Sequence, residues 1–431
     1  MKSLKNIISI LLLLISVSFH SQNVKVSSYN FGEGLNFTTG EGHEIKISSY
    51  FQPYFETKQY TEANLDAANR FRMRRARFRI DGETANKRFS YRFQFDLSGN
   101  GESDEDTGYL LDAIINYELT KQITVSFGQR ATYTDNRELF MNSNALQLIE
   151  RSRLTSAFAS IREFGFFVNG SFKTGGNSVL RPYFVLTNGD GGNVFNKDFG
   201  GLKIGGRLDF LPFGTFTNFG QFRQADVMRE LTPKFVIGAV FSKNYGMSSR
   251  RGRESGAILY LDANNEESLP DFTKFGIDFL FKYRGFSALG EFVKTTATVP
   301  TDITQRVRTN GTTATDFPVN GIQDVENYVK GRMMLGEGYN FQAGYLFKNG
   351  FSIDARYTYL KADEYSFLNN ATFYNRPNNY TIGISKYLAR NYGAKIQTSF
   401  TYIDGNDIND NTGSPIPGNE WIARVMLTFA L

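Results

Sequence analysis

Arg88-Phe89-Ser90-Tyr91-Arg92-Phe93-Gln94-Phe95-Asp96-Leu97-Ser98 alternates polar and apolar side chains along its whole length. Successive residues of a strand point to opposite faces, so Phe89, Tyr91, Phe93, Phe95 and Leu97 share one side and the polar residues share the other. The same parity returns at the C-terminus. There Trp421, Ala423, Val425, Leu427, Phe429 and Leu431 stand against Arg424 and Thr428. Working outward from these two stretches, the chain divides into about sixteen segments of roughly ten residues, separated by joints that are alternately short and long.

The predicted strands run 45–55, 71–81, 88–98, 108–119, 121–131, 161–171, 178–187, 200–211, 234–244, 273–283, 286–296, 337–348, 351–361, 379–388, 392–403 and 421–431. Asn349-Gly350 and Arg284-Gly285 mark tight hairpins. The long joints (99–107, 132–160, 188–199, 245–272, 297–336, 362–378 and 404–420) are rich in Asn, Asp, Gly, Ser and Thr. Residues 212–233 are long where a short turn is expected, so either that turn is extended or a hairpin lies within it. Short turns on one rim and long loops on the other predict an all-β fold, a transmembrane antiparallel β-barrel. A soluble β-sandwich also alternates, but it would turn its polar face outward. The apolar last strand resembles the signal read by the outer-membrane insertion machinery, although it ends in Leu431 rather than the commoner Phe.

Composition agrees. The 431 residues show no linker or compositional boundary, and one large barrel accounts for them. Phe (41) and Tyr (23) are abundant and Pro (10) is scarce, as strands prefer. The mean hydropathy of −0.35 is polar because only alternate wall residues face lipid. Residues 1–21 read as a secretory signal, with Lys2 and Lys5 before the apolar run Ile7–Val17, and residues 22–431 as the barrel domain. That places the protein in the outer membrane of a Gram-negative bacterium, with lipid as a partner.

There is no Cys, so no disulfide framework. Of two His residues, only His43 lies beyond the signal. A Ser-His-Asp triad or a His-rich zinc site would depend on it, and no nucleophile motif stands nearby. The chain is therefore not read as an enzyme, and no cofactor, metal or nucleic-acid partner is expected.

The chemistry lies in Arg70-Phe71-Arg72-Met73-Arg74-Arg75-Ala76-Arg77-Phe78-Arg79-Ile80. Arg75, Arg77 and Arg79 share a face, about 7 Å apart along the strand. Facing lipid near the midplane, each would cost about 2–4 kcal/mol, so they belong in the lumen or at a rim. The parity changes between Met73 and Arg75, which predicts a bulge there. By parity the inward basic residues are Arg75, Arg77, Arg79, Arg88, Arg92, Arg130, Lys203, Arg207, Lys274, Lys282, Arg284, Arg356, Lys395 and Arg424. The inward acids are Asp96, Asp112, Asp209, Asp278, Glu291 and Asp354. That is fourteen against six, whereas the chain beyond the signal is nearly balanced at 46 basic to 43 acidic residues. Loops such as Gly101–Asp106 carry compensating acid. A pore lined this way favours anions. In the competing reading the arginines are wall residues neutralised by carboxylates across the lumen.

Arg74-Arg75-Ala76-Arg77-Phe78, a short turn, and Phe89–Asp96 resemble the N-terminal hairpin of the phosphate-selective porin O and P family. Gly128-Gln129-Arg130, Ile149-Glu150-Arg151-Ser152 and Leu186-Thr187-Asn188-Gly189-Asp190-Gly191 follow in the family's order. The resemblance spans most of the mature chain and is specific in its first half. It implies a sixteen-stranded outer-membrane barrel, a homotrimer, passing phosphate, polyphosphate or other small anions. Arg75, Arg77 and Arg79, with Arg92 and Arg130, carry over as pore residues. The family's lysine cluster has no counterpart, which leaves phosphate specificity against broad anion preference open. In porins the third long loop folds inward. Here residues 132–160 would do so, with a helix within Glu138–Leu154 and with Arg137, Arg151 and Arg153 at a constriction; the alternative is a surface loop packed on itself. With Arg207, Arg151 completes the candidate pore set. The competing functions are a non-specific or sugar-conducting porin, and a plugged structural or adhesive barrel.

Overall fold

The computed structural model describes residues 25–60, 66–98, 109–192, 198–366, 376–389, 391–405, 408–409, 415–416 and 418–431. The expected signal (1–21) and the acidic stretch Gly101–Asp106 lie outside them. Sixteen antiparallel strands close into a barrel: β1 Glu44–Tyr60, β2 Ala68–Glu83, β3 Phe89–Asp96, β4 Tyr109–Thr120, β5 Ile123–Ala131, β6 Arg162–Gly170, β7 Ser178–Thr187 and β8 Lys203–Leu211 form the first half. The second half is β9 Lys234–Asn244, β10 Asp271–Tyr283, β11 Phe286–Thr298, β12 Gly336–Leu346, β13 Phe351–Ala362, β14 Asn378–Tyr387, β15 Ala394–Asp404 and β16 Glu420–Ala430. Each strand pairs with the next, and β16 returns to β1 through Glu420↔Tyr60 to Ala430↔Tyr50. Closure leaves no wall edge unpaired, which is what a hydrocarbon surround demands. A hairpin, Lys25–Asn30 with Gly34–Thr38, continues the sheet beside β1 beyond the point where β16 ends.

The faces are inverted relative to a soluble sheet. Phe93 is 43% exposed and Leu427 49%, whereas Gln94 and Asp96 of the same β3 are buried. The apolar side of nearly every strand forms the outer belt, and the polar side faces inward. An eleven-residue strand at the usual tilt of about 40° rises about 28 Å, close to the hydrocarbon thickness.

The expected bulge lies between β1 and β2. Gln52 pairs with Arg75 and Pro53 with Met73, so Arg74 is the extra residue. Pro53 has no N–H for the ladder, and a bulge is where a strand tolerates that. The insertion turns Arg74 and Arg75 inward together and leaves Phe71 and Met73 outward.

The lumen is partly filled. Residues 132–161, between β5 and β6, fold into it and pack on the far wall: Met141 and Leu146 meet Val236, Leu280 and Leu289, and Leu154 and Phe158 meet Val293 and Leu360. The single expected helix becomes two short ones, α1 Arg137–Phe140 and α2 Arg153–Phe158, joined by extended chain and a 3₁₀ turn. The extended part survives because inward polar residues of the wall serve its carbonyls. Lys395 donates to Leu146 O (2.5 Å), Gln397 to Gln147 O (2.7 Å) and Arg356 to Glu150 O (2.8 Å). Residues 212–233 are an extended turn that also enters the lumen, where Lys282 donates to Gly220 O and Ala225 O. No barrel hairpin lies there.

Candidate functional site: an arginine-lined channel

Filling the lumen on the side of β9–β16 leaves one large cavity along β1–β7. Its volume is about 1990 Å³. The wall opposite the inserted loop supplies Arg74, Arg75, Arg77 and Arg79 from β2, Arg92 from β3 and Arg130 from β5. The loop itself supplies Ser143, Glu150 and Arg151. Asn218 and Ser171 line the end by the short turns, and Arg250 and Arg332 the end by the long loops, so the cavity reaches both rims. Fourteen arginines and one lysine line it against six acidic side chains.

The inserted loop meets the ladder through shared partners. Arg77 donates to Ser143 Oγ at 3.0 Å, and Arg151 donates to the same oxygen at 3.2 Å. Two guanidiniums therefore face one hydroxyl across the passage. Arg77 also holds Asp96 (2.9 Å) and the Tyr50 hydroxyl (3.0 Å). Arg151 is fixed by carbonyls, chiefly Met141 O at 2.7 Å, and has no carboxylate within salt-bridge distance among the described residues. Glu150 takes both inward guanidiniums of the bulge: Arg74 donates to both its oxygens and Arg75 to Oε2 at 3.2 Å. Toward the short-turn rim, Arg79 and Arg92 share Asp81, each with a 2.8 Å bond.

Arg75, Arg77, Arg79, Arg92, Arg130 and Arg151 are thus brought to one cavity. Arg130 lies over the Tyr133 ring, 4.4 Å from its centroid. Arg207 is corrected: its side chain is buried beneath the inserted loop, bonded to Asp209 (2.7 Å) and to Asp278, and it does not line the cavity. Arg137 is corrected likewise. It bonds Asp209 and Asp278 at 2.8 Å each, closing a buried quartet that pins α1 to the wall. Arg153 lies on α2 outside the lining. Arg88 and Arg284, expected inward, are exposed in turns.

Other cavity residues were not anticipated. Arg181 shares the inward parity of Tyr183 and Val185, so alternation alone would have included it. Arg162 has the outward parity of Phe164. It reaches Asp112 (2.9 Å) from the strand end, after Ile161 at φ 75°, and no local pattern signals that. Arg223 comes from the extended turn and stacks on Tyr392.

The sequence profile of the family described as phosphate-selective porin O and P matches residues 47–316. No curated protein sequence matches the chain. Among solved structures, OmpF of Salmonella typhi, in complex with daunomycin, is similar at 12% identity and a TM-score of 0.53, over 91% of this chain and 98% of that one. The outer membrane channel DcaP of Acinetobacter baumannii is similar at 12% identity and a TM-score of 0.51, over 92% and 99%. These likenesses are of fold, and the sixteen-stranded porin barrel is the fold they share. The profile covers more than half of the chain, so the protein belongs to the phosphate-selective porin O and P family and is an outer-membrane channel, not an enzyme.

Proposed function

We propose that the channel conducts small anions by passive diffusion, phosphate and polyphosphate among them, through the arginine-lined cavity. The observation that carries this reading is the excess of guanidinium over carboxylate in the lining, within which Arg77 and Arg151 face one hydroxyl. Guanidinium stays charged at any relevant pH and offers a planar fork to phosphate oxygens. Low-dielectric walls focus that field, and a series of weak sites lets an ion enter and leave. We propose Arg75, Arg77, Arg79, Arg92, Arg130 and Arg151 as the contacts, and a homotrimer, which the family resemblance implies, as the assembly.

A second reading has its own support. Arg74, Arg75, Arg77, Arg79, Arg92 and Arg162 each bond a carboxylate, which makes the wall closer to neutral and favours a weakly selective general porin. Planar-bilayer recording separates the two. The reversal potential in a KCl gradient should report anion preference, added phosphate should reduce chloride current, and the double variant Arg75→Ala, Arg77→Ala should lose the preference while still folding. A reversal potential without bias toward anions defeats the first reading and leaves the second.

A further inference from the structure

The run Asn188-Gly189-Asp190-Gly191, just past the end of β7, has no part in the channel, yet it is built with care. Gly189 (φ 76°) and Gly191 (φ 104°) both adopt left-handed backbone and turn the Asp190 side chain into the protein, where it is fully buried. A Cβ on Gly189 would stand 2.6 Å from Oδ1 of Asn244, the last residue of β9, so that amide packs directly on the glycine between Asn188 and Asp190. Asn244 Nδ2 donates to Gly189 O at 3.1 Å. Asp190 Oδ2 accepts from the Ser248 N–H (3.1 Å) and hydroxyl (2.8 Å).

Three atoms at this spot remain without a hydrogen-bond donor among the described residues: Asn188 Oδ1, Asp190 Oδ1 and Asn244 Oδ1. All three are buried, and all three are oxygens. A buried acceptor without a partner costs free energy, and here two belong to the residues that flank Gly189 and the third to the amide packed on that glycine. Oxygens alone, with a carboxylate among them, are the ligands a hard cation takes.

We propose that Asn188, Asp190 and Asn244 form a calcium site at the base of the long loops, with carbonyls and water completing the six to eight oxygens that calcium takes. The site ties the β7–β8 loop to the β9–β10 loop. Gly191 already packs against the Arg253 carbonyl, and Arg253 donates to Ala159 O (2.7 Å) and Ser156 O (3.0 Å) at the end of α2. The cation thereby secures the segment that holds the inserted loop at its outer end. One carboxylate in the set implies a Kd of about 10⁻⁴–10⁻³ M, the range of extracellular calcium modules.

The test uses the full chain, refolded in detergent free of lipopolysaccharide, stripped with chelator and titrated with calcium chloride in a calorimeter. One saturable site per chain is expected, weakened at least tenfold by Asp190→Asn. Tryptic cleavage within the segment 249–254 of the wild-type protein should slow about fivefold when calcium is present, and this readout stands even where the variant does not fold. No saturable heat up to about ten times the expected Kd, cleavage at the same rate with and without calcium, or undiminished binding by a folded Asp190→Asn protein would each overturn the site.

Discussion

Replacing Arg151 by Gln removes the one charge that the inserted loop aims at the β2 ladder without a carboxylate to answer it. An anion that accepts a hydrogen bond from the hydroxyl shared by Arg77 and Arg151 lies about 5 Å from the Arg151 guanidinium, given two hydrogen bonds of ordinary length in series. In a water-filled passage with an effective dielectric of about 70, that charge is worth about 1 kcal/mol, and screening at about 0.1 M salt reduces it to about 0.6 kcal/mol. Anions lose this much and cations gain it, so the anion-to-cation permeability ratio should fall about eightfold. The assay is the reversal potential of single channels in a KCl gradient. Arg151→Lys is the control. It keeps the charge and gives up the fork that reaches Leu139 O and Met141 O, so it should hold most of the selectivity. If Arg151→Gln leaves the ratio within twofold of wild type, the charge is not sensed by the permeating ion. If Arg151→Lys falls as far as Arg151→Gln, loop position rather than charge sets selectivity. Either result refutes the reasoning.

Arg207→Met should behave in the opposite way. It breaks the buried quartet with Arg137, Asp209 and Asp278 and leaves two buried carboxylates to one guanidinium, at a cost of about 3–5 kcal/mol. The folded band on a heat-modifiability gel should disappear at lower temperature while any channels that form keep wild-type selectivity; an unchanged transition would contradict the burial of that pair. The proposed homotrimer is read directly by light scattering in detergent, where three chains per particle are expected and a monomeric particle rejects it.

Much of the barrel is legible in the chain because alternation is local. A wall residue needs only its two neighbours to declare its face, and the apolar side of β3 or β16 announces lipid in ten residues. The bulge was legible for the same reason, since parity breaks between Met73 and Arg75; that Pro53 stands opposite is seen only in the paired strands. The row Arg75, Arg77 and Arg79 follows from parity together with the cost of charge in hydrocarbon. Arg162 and Arg223 do not follow: one reverses its own parity at a strand end, and the other rides on a turn that has no period.

Sequence alone determined that strands close around a polar interior and that arginines gather within it, because facing, period and desolvation are properties of adjacent residues. Tertiary structure decided which arginines reach open water. Arg207 and Arg77 have the same parity and the same chemistry. One is stapled to Asp278, 71 positions away, under the inserted loop, and the other faces Arg151 across the channel. The path of residues 132–161 makes that division. It is set by packing of Leu146, Ile149 and Leu154 against distant strands and by wall side chains that satisfy its carbonyls, contacts that bring together residues far apart in the chain and leave no periodic trace in it.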